Sequence, residues 1–461
     1  MKKTFPLFFF LLSISSLLAQ NYYMSAPEGF GAAATGGGTP TVLNTVTVTT
    51  YAQLSTALTS TTTANSVILI SGVIDCSYTS VLLTNKTIIG LPGAKLRNTQ
   101  FTPNVDDANR KDPSGIFTIK PGSNNVIIRN LIFEGPGAFD VNGHDNISIE
   151  SATNIWVDHC EFQDGEDGNL DIKGLADNIT VSWCKFTYLK DATTGGFGGS
   201  PDHRFSDLIG SNTTAFPADG RFSVTFKNCY WAEGCKERMP RARNAELHLL
   251  NCYYKTSVAN AKAIGLGAGN QGTTCYVEGC NFEQIATISS PVSEGTDPAN
   301  VGLTADNCVK GIPSIAVNPS YGKTVSKPSY TYTALLSTAD VKAYVSNEDC
   351  GAGATLQVTA DGVISTSCPN TLGANENVSN LELQFYPTVI DNILNIEFSS
   401  IENGSAVIEL FSVNGSKVYT SSKTVTGNEK VELNISNLAK GVYICKVQIE
   451  KRVKTFKVVK N

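Results

Sequence analysis

The amino-acid sequence predicts an all-β chain, a right-handed parallel β-helix followed by a small C-terminal β-sandwich. Three observations carry that prediction. The first is composition: 461 residues, 41% hydrophobic but only 16% charged, with 40 glycines, a balance that favours strands and turns over solvated helices. The second is an internal repeat in which a cysteine is followed two residues later by an aromatic ring. The third is a switch near residue 380 to alternating apolar and polar residues broken by turn signals, the period of half-buried strands.

The N-terminal stretch "MKKTFPLFFFLLSISSLLAQ" sets Lys2 and Lys3 before an apolar run from Phe5 to Leu18 and offers Ala19 as a cleavage residue. A run that short, with polar residues after it, reads as a cleaved secretory signal over residues 1–19 and not as a membrane span. The mature protein is therefore expected to be secreted, outside the cell or attached to its surface.

The repeat occupies the next 335 residues, 20–354. Its copies are "NIWVDHCEF", "NITVSWCKF", "FSVTFKNCYW", "AELHLLNCYY" and "CYVEGCNF", with an earlier one, "NVIIRNLIF", that carries Leu131 in place of the cysteine. From Leu131 to Cys160, Cys184, Cys229, Cys252 and Cys280 the steps are 29, 24, 45, 23 and 28 residues. Steps in the twenties suit one solenoid turn each, and the long one must hold an insertion. Asn and Gly at corners, with no 3.6-residue period between them, select the parallel β-helix; the L-x-x-L-x-L spacing of leucine-rich repeats is absent. The repeated cysteines are expected to stack inward as small core thiols.

Stacked coils turn sequence offsets into positions in space. Asp145 lies 15 residues before its coil's cysteine, Asp171 lies 13 before, and Arg238 lies 14 before, so all three are expected on one face. With strands about 4.8 Å apart, Arg238 should stand on the order of 10 Å beyond Asp171. Asp167, four residues before Asp171 in "EDGNLDIKG", joins the acidic side. Oxygen ligands without His or Cys suit a hard cation such as Ca2+, and the spacing is not that of an EF-hand loop. The basic side is "CKERMPRARN", Cys235 to Asn244, whose four cations sit in a chain of net charge −6. A run of charge is commonly a solvated face, but here it is local and level with the aspartates. Acidic and basic groups along one groove suit an extended anionic polymer, with Arg forks gripping carboxylates. Nucleic acid is excluded as a partner because it would call for a broad basic surface.

The stretches "NIWVDHCEF", "DGNLDIKGLADNITVSWCKF" and "RMPRAR", in this order and spacing, resemble the pectate lyases of polysaccharide lyase family 1. "APEGFGAAATGGG", "VIIRNLIFEG" and "YTYTALLSTADVKAYV" followed by "GAGA" fit the same family, and the resemblance spans residues 24–354. It implies calcium-dependent β-elimination on polygalacturonate to 4,5-unsaturated oligogalacturonides, with Ca2+ held by Asp145, Asp167 and Asp171. It also implies Arg238 as the base and Arg243 as a substrate-binding residue. An arginine base is at odds with a guanidinium pKa above about 12, so a carbanion-stabilising role for Arg238 stays open. The family's first calcium segment often has two aspartates a residue apart, whereas "NGHDN" has Gly143 in one place and Asp145 in the other. In place of the family's substrate-gripping Lys, Arg204 in "HRFSDLIG" is the expected substitute, with Lys190 behind it. The insertion "TTGGFGGSPDHRF" accounts for the long step and is expected to form a flexible lip over the groove. Trp156, Asp158 and His159 are expected to pack and hydrogen bond away from the acidic face. No histidine has triad spacing with a nucleophile.

Residues 355–379, rich in Thr, Ser, Asn and Gly, read as a linker, with Cys350 and Cys368 placed for a local disulfide. From 380 to 461 come "ILNIEF", "AVIELFSVNGSKVYT" with an Asn414-Gly415 turn, "KVELNI", "GVYICKVQI" and "TFKVVK". This part resembles the C-terminal sorting domain of the type IX secretion system, which implies that export machinery as a partner. A monomer is expected. Two other readings share the fold: a pectin lyase acting on methylated pectin, and a polyuronate-binding β-helix without activity.

Overall fold

The computed structural model describes residues 22–105, 112–295, 298–333 and 335–368, and in the C-terminal part 383–387, 389–398, 404–412, 416–426, 429–449 and 452–461. The expected signal segment, the second half of the expected linker and the Asn414-Gly415 turn lie outside them. The chain divides into two units, Met1–Asn370 and Thr371–Asn461. Among the described residues no helix is long and apolar enough to cross a membrane.

The first unit is a parallel β-helix of three sheets with eleven, ten and eight strands. Each coil gives one strand to each sheet, as in Thr153–Asp158, Glu161–Gln163 and Leu170–Lys173, then Asp177–Ser182, Lys185–Thr187 and Leu208–Ile209. Sequence dictates where each coil turns. Just before the repeated Leu or Cys stands a residue in the left-handed region: Asn130, His159, Trp183, Asn228, Asn251, Gly279 and Asn307, with φ between 47° and 63°. Asn tolerates that region and Gly has no Cβ to oppose it. One such residue bends the chain from the first sheet into the second and turns the next side chain inward.

The Cys-x-aromatic repeat then builds the core. Cys160, Cys184, Cys229, Cys252 and Cys280 are free and buried, and so is Cys308, which continues the column. Cys308 escapes the sequence pattern because Lys310 stands where the ring would be. Two residues after each member, Phe133, Phe162, Phe186, Trp231, Tyr254 and Phe282 stack face to face, with centroids 4.5–5.4 Å apart and ring planes within 19°. Stacked aromatic pairs add about 0.5–1.5 kcal/mol each beyond the area they bury. The ladder spans the coils that carry the site and fixes their spacing.

Residues 355–368 differ from the expected linker. Leu356 and Val358 are buried in a cluster with Val67, Leu69 and Ile89, and Leu356 exchanges backbone hydrogen bonds with the Asn130 side chain. Cys350 and Cys368 form a disulfide. The polar composition hid two apolar residues that suffice to dock the segment. In the second unit, a three-stranded and a five-stranded sheet share one core that includes Leu394, Ile396 and Leu433 from one and Ile408, Val447 and Val458 from the other.

Candidate active site

The site lies on the third sheet. Ser148 pairs with Asp171, Ile172 with Ile209, and Leu208 with Arg241, so Asp145, Asp171 and the arginine segment belong to successive rungs. Their register differs from the expected common position. Asp145 is three residues before Ser148 and therefore level with Gly168, whereas Asp171 is level with Ser148, Leu208 and Arg241. Offsets counted from the cysteine misplace these residues because the corner between the second and third sheets varies in length.

Asp145 and Asp171 nevertheless come together. A Cβ on Gly168 would begin 2.9 Å from Asp145 Oδ1 and 3.3 Å from Asp171 Oδ1, so only glycine leaves room between the two carboxylates. Both are buried. Asp145 Oδ2 accepts from Ser148 Oγ at 2.6 Å and from Lys173 Nζ at 3.2 Å; Asp171 Oδ1 accepts from the Leu208 amide at 3.0 Å. The Asp171 carboxyl is pushed well above the ordinary carboxylate range, first by burial, then by the charge of Asp145, with Asp167 adding to it. Lys173, two residues on and hence on the same face of the strand, is raised mainly by the Asp145 charge. Sequence reasoning missed Lys173, although the period-2 spacing from Asp171 was there to read.

Asp167 takes a different direction. Its Oδ1 lies 2.9 Å from His203 Nε2, and His203 Nδ1 faces Asp140 Oδ1 at 3.2 Å. Burial would raise Asp167, but the hydrogen bond and charge of His203, then Arg238, hold it below the ordinary range. Among the described residues no three carboxylate, imidazole or thiol groups converge on one point. Gly143 has a physical reason: a side chain there would begin 1.9 Å from Glu166 Oε2. Glu166 is buried, accepts from the Thr102 amide at 2.7 Å and is raised by burial. The position of the second acid that the resemblance leads one to expect is thus closed.

The donor chemistry fits a hard cation. All candidate ligands are carboxylate oxygens, two of them crowd the open point above Gly168, and the Lys173 ammonium relieves their repulsion as a cation would. Asp145, Asp167 and Asp171 are the residues that would hold it.

Arg238 follows on the next rungs. Phe205 bridges Glu237 while Leu208 pairs with Arg241, so the arginine strand carries one extra residue between these points, and Arg238 sits in that bulge with φ 59°. Its guanidinium lies over the Phe205 ring, 4.8 Å from the centroid, and its charge lowers both Asp167 and Asp171. A cavity of about 330 Å³ opens beside it, lined also by Arg241, Lys262, Gly265 and Ser290. Arg243, one strand residue beyond Ala242, donates from Nη1 to the Gly210 carbonyl at 2.8 Å. Arg204 is not turned to this groove as a lone cation: it forks onto Asp202 at 2.8 and 2.7 Å, and Lys236 adds to the same carboxylate. Lys190 is held by the Gly135 carbonyl at 2.8 Å and lies 3.7 Å from Glu134 and from Asp164. Asp158 is buried between Arg129, His159 and Ser182, away from this face, as a packing network.

A parallel β-helix with a carboxylate pair and arginines on one sheet defines a polysaccharide-handling class of solenoid. Residues 9–355 match the family model for pectate lyase, and the chain belongs to that family. Residues 384–461 match the secretion system C-terminal sorting domain. A pectate trisaccharide-lyase of Thermotoga maritima is 33% identical over 205 residues, 43% of this chain and 45% of that protein. A probable pectate lyase B of Aspergillus flavus is 30% identical over 300 residues, 63% of this chain and 75% of that protein. The chain thus spans less than half the length of the first of these relatives. Among solved structures, pectate lyase pelN of Paenibacillus sp. 0602 superposes with a TM-score of 0.56 at 18% identity, covering 73% of this chain and 97% of that one. A Bacillus subtilis pectate lyase mutant gives 0.55 at 20%, covering 74% and 99%. At these identities the structural likeness supports the fold.

Proposed function

We propose that the protein is a secreted, calcium-dependent pectate lyase that cleaves polygalacturonate by β-elimination to 4,5-unsaturated oligogalacturonides. The observation that carries this reading is the crowding of Asp145 and Asp171 about one point with Arg238 two rungs on. The proton at C5 of a galacturonate is weakly acidic because its loss adds negative charge to the adjoining carboxylate. Bound calcium supplies neutralisation of that carboxylate as the charge develops. Asp145, Asp167 and Asp171 hold the cation, and Arg243 grips a neighbouring uronate carboxylate. Arg238 is the catalytic residue at C5, its side chain aimed by the bulge and by Phe205. The C5–H electrons form the C4=C5 bond as the C4–O bond breaks, and the departing oxygen takes a proton. The aspartates favour unesterified substrate over methylated pectin, since a carboxylate ligand is lost on esterification.

The C-terminal domain supports export through the type IX machinery and action outside the cell, with a single chain sufficient for catalysis. The assay follows unsaturated uronide absorbance on polygalacturonate, with calcium and with chelator. No signal in calcium sinks the lyase reading; a chelator-insensitive signal that prefers methylated pectin sinks the pectate one.

A further inference from the structure

The glycine-rich insertion "TTGGFGGSPDH", Thr193 to His203, has no part in the chemistry above, and its packing shows that it is not a loose lip. It wraps the buried Asp140. Thr193 bridges Phe139, the Gly198 amide donates to the Asp140 carbonyl at 2.9 Å, and the Ser200 amide donates to Asp140 Oδ2 at 2.6 Å. The approach is so close that a Cβ on Gly196 would begin 2.1 Å from the Asp140 carbonyl oxygen, and one on Gly198 would begin 2.2 Å from Asp140 Oδ1. Glycine is used here for contact. Asp140 in turn faces His203 Nδ1 at 3.2 Å, and His203 Nε2 meets Asp167 Oδ1 at 2.9 Å. Asp140 and His203 are 6% and 5% exposed, so this chain of contacts runs through the interior. The Phe205 ring lies against His203 at 4.3 Å and limits its rotation.

We propose that Asp140 and His203, held by the insertion, are positioning residues for the cation site: they set the direction of the Asp167 carboxylate. This rests on the reading of Asp145, Asp167 and Asp171 as the cation site. A carboxylate that is to ligate a cation gains from a fixed orientation, because its rotamers are not lost on binding, and groups that orient a ligand from behind typically control metal affinity about 10–100-fold. His203 engages one oxygen of Asp167 and leaves the carboxylate a second.

The test is calorimetric titration of the chelator-stripped full chain with calcium chloride. His203→Ala is expected to bind calcium about 10–100-fold more weakly than wild type, with His203→Gln, which keeps a donor, recovering part of the loss. Gly198→Ala, whose methyl displaces Asp140, is expected to weaken binding as well. Calcium affinity unchanged or tighter in a folded His203→Ala overturns the proposal. Asp140→Asn gives a measure that does not depend on the alanine variant folding, and unchanged affinity there overturns it too. Wild type that binds no calcium overturns the cation site beneath the proposal, while the uronide assay reports turnover separately.

Discussion

Replacing Asp171 by Asn should stabilise the metal-free protein and abolish its stabilisation by calcium. Asn keeps an oxygen for the Leu208 amide and removes only the charge. Asp145 Oδ1 and Asp171 Oδ1 lie 2.9 and 3.3 Å from one point, which caps their separation at about 6 Å. At an effective dielectric of about 20, unit charges that far apart repel by about 3 kcal/mol, and attraction to Lys173 offsets part of it, leaving a net gain of about 1–2 kcal/mol. With an unfolding entropy of about 2 cal/mol/K per residue, that is a rise in Tm of about 2 °C for a domain of this size. The pH dependence follows from the raised carboxyl. The native state keeps the Asp171 proton to higher pH than the unfolded chain, so this group's contribution to stability falls as pH rises from the ordinary carboxylate range toward its folded value. The advantage of Asn is therefore full at neutral pH and vanishes in acid. Excess calcium reverses the order, since saturation at about 100 times Kd stabilises wild type by about 2.7 kcal/mol. Thermal melts in chelator and in calcium read both arms. An Asn variant that melts below wild type in chelator at neutral pH, or that gains as much from calcium, refutes the reasoning.

Arg238→Ala should lower kcat on polygalacturonate by at least about 100-fold while calorimetric calcium affinity stays within about threefold of wild type, because the residue acts on substrate and not on the cation. Phe205→Leu removes a cation–π contact worth about 0.5–2 kcal/mol, so kcat should fall about 2–30-fold, with recovery in Phe205→Tyr, measured by initial rates. Phe162→Ala cuts the aromatic ladder between Phe133 and Phe186 and should cost about 3–5 kcal/mol in denaturant unfolding without altering KM in whatever fraction remains folded.

The coil architecture was legible because one residue type recurs at one place in each turn: the buried cysteine and the ring two residues on mark the same corner in successive coils. Cys308 was lost only because Lys310 replaces that ring. The site was legible in residue type and less so in register. Asp145, Asp171 and Arg238 were expected at one level, but the second corner has no fixed length, so distances counted from the cysteine drift by the residues it holds. What pairs with what was hidden for the same reason. Arg204 sits two residues from Asp202 and forks onto it, a local contact that offsets across coils do not reveal. Asp140, Glu166 and His203 reach the site through excursions whose path only the folded chain defines, and Gly143 reads as a missing ligand until Glu166 is seen to fill its space.

The chemistry lies where the register slips. From Phe205 to Glu237 the pairing spans 32 residues, and from Leu208 to Arg241 it spans 33, so one residue is inserted at the rung that carries Arg238. A bulge re-aims a side chain at the expense of regular pairing, and here it holds a non-glycine residue at φ 59°, a conformation that costs an L-residue about 1–2 kcal/mol. The neighbours over-determine it: the Arg238 carbonyl accepts from the Asp207 amide at 2.7 Å, and the Met239 amide donates to the Ala263 carbonyl at 2.8 Å. If the strain serves to point the guanidinium at substrate, removing the side chain separates strain from function. Arg238→Gly and Arg238→Ala should be equally inactive, but the glycine variant should unfold at higher denaturant, with an advantage of about 1 kcal/mol over alanine. Equal stability of the two would mean that the bulge holds its conformation without strain, and that orientation at Arg238 comes from Phe205 alone.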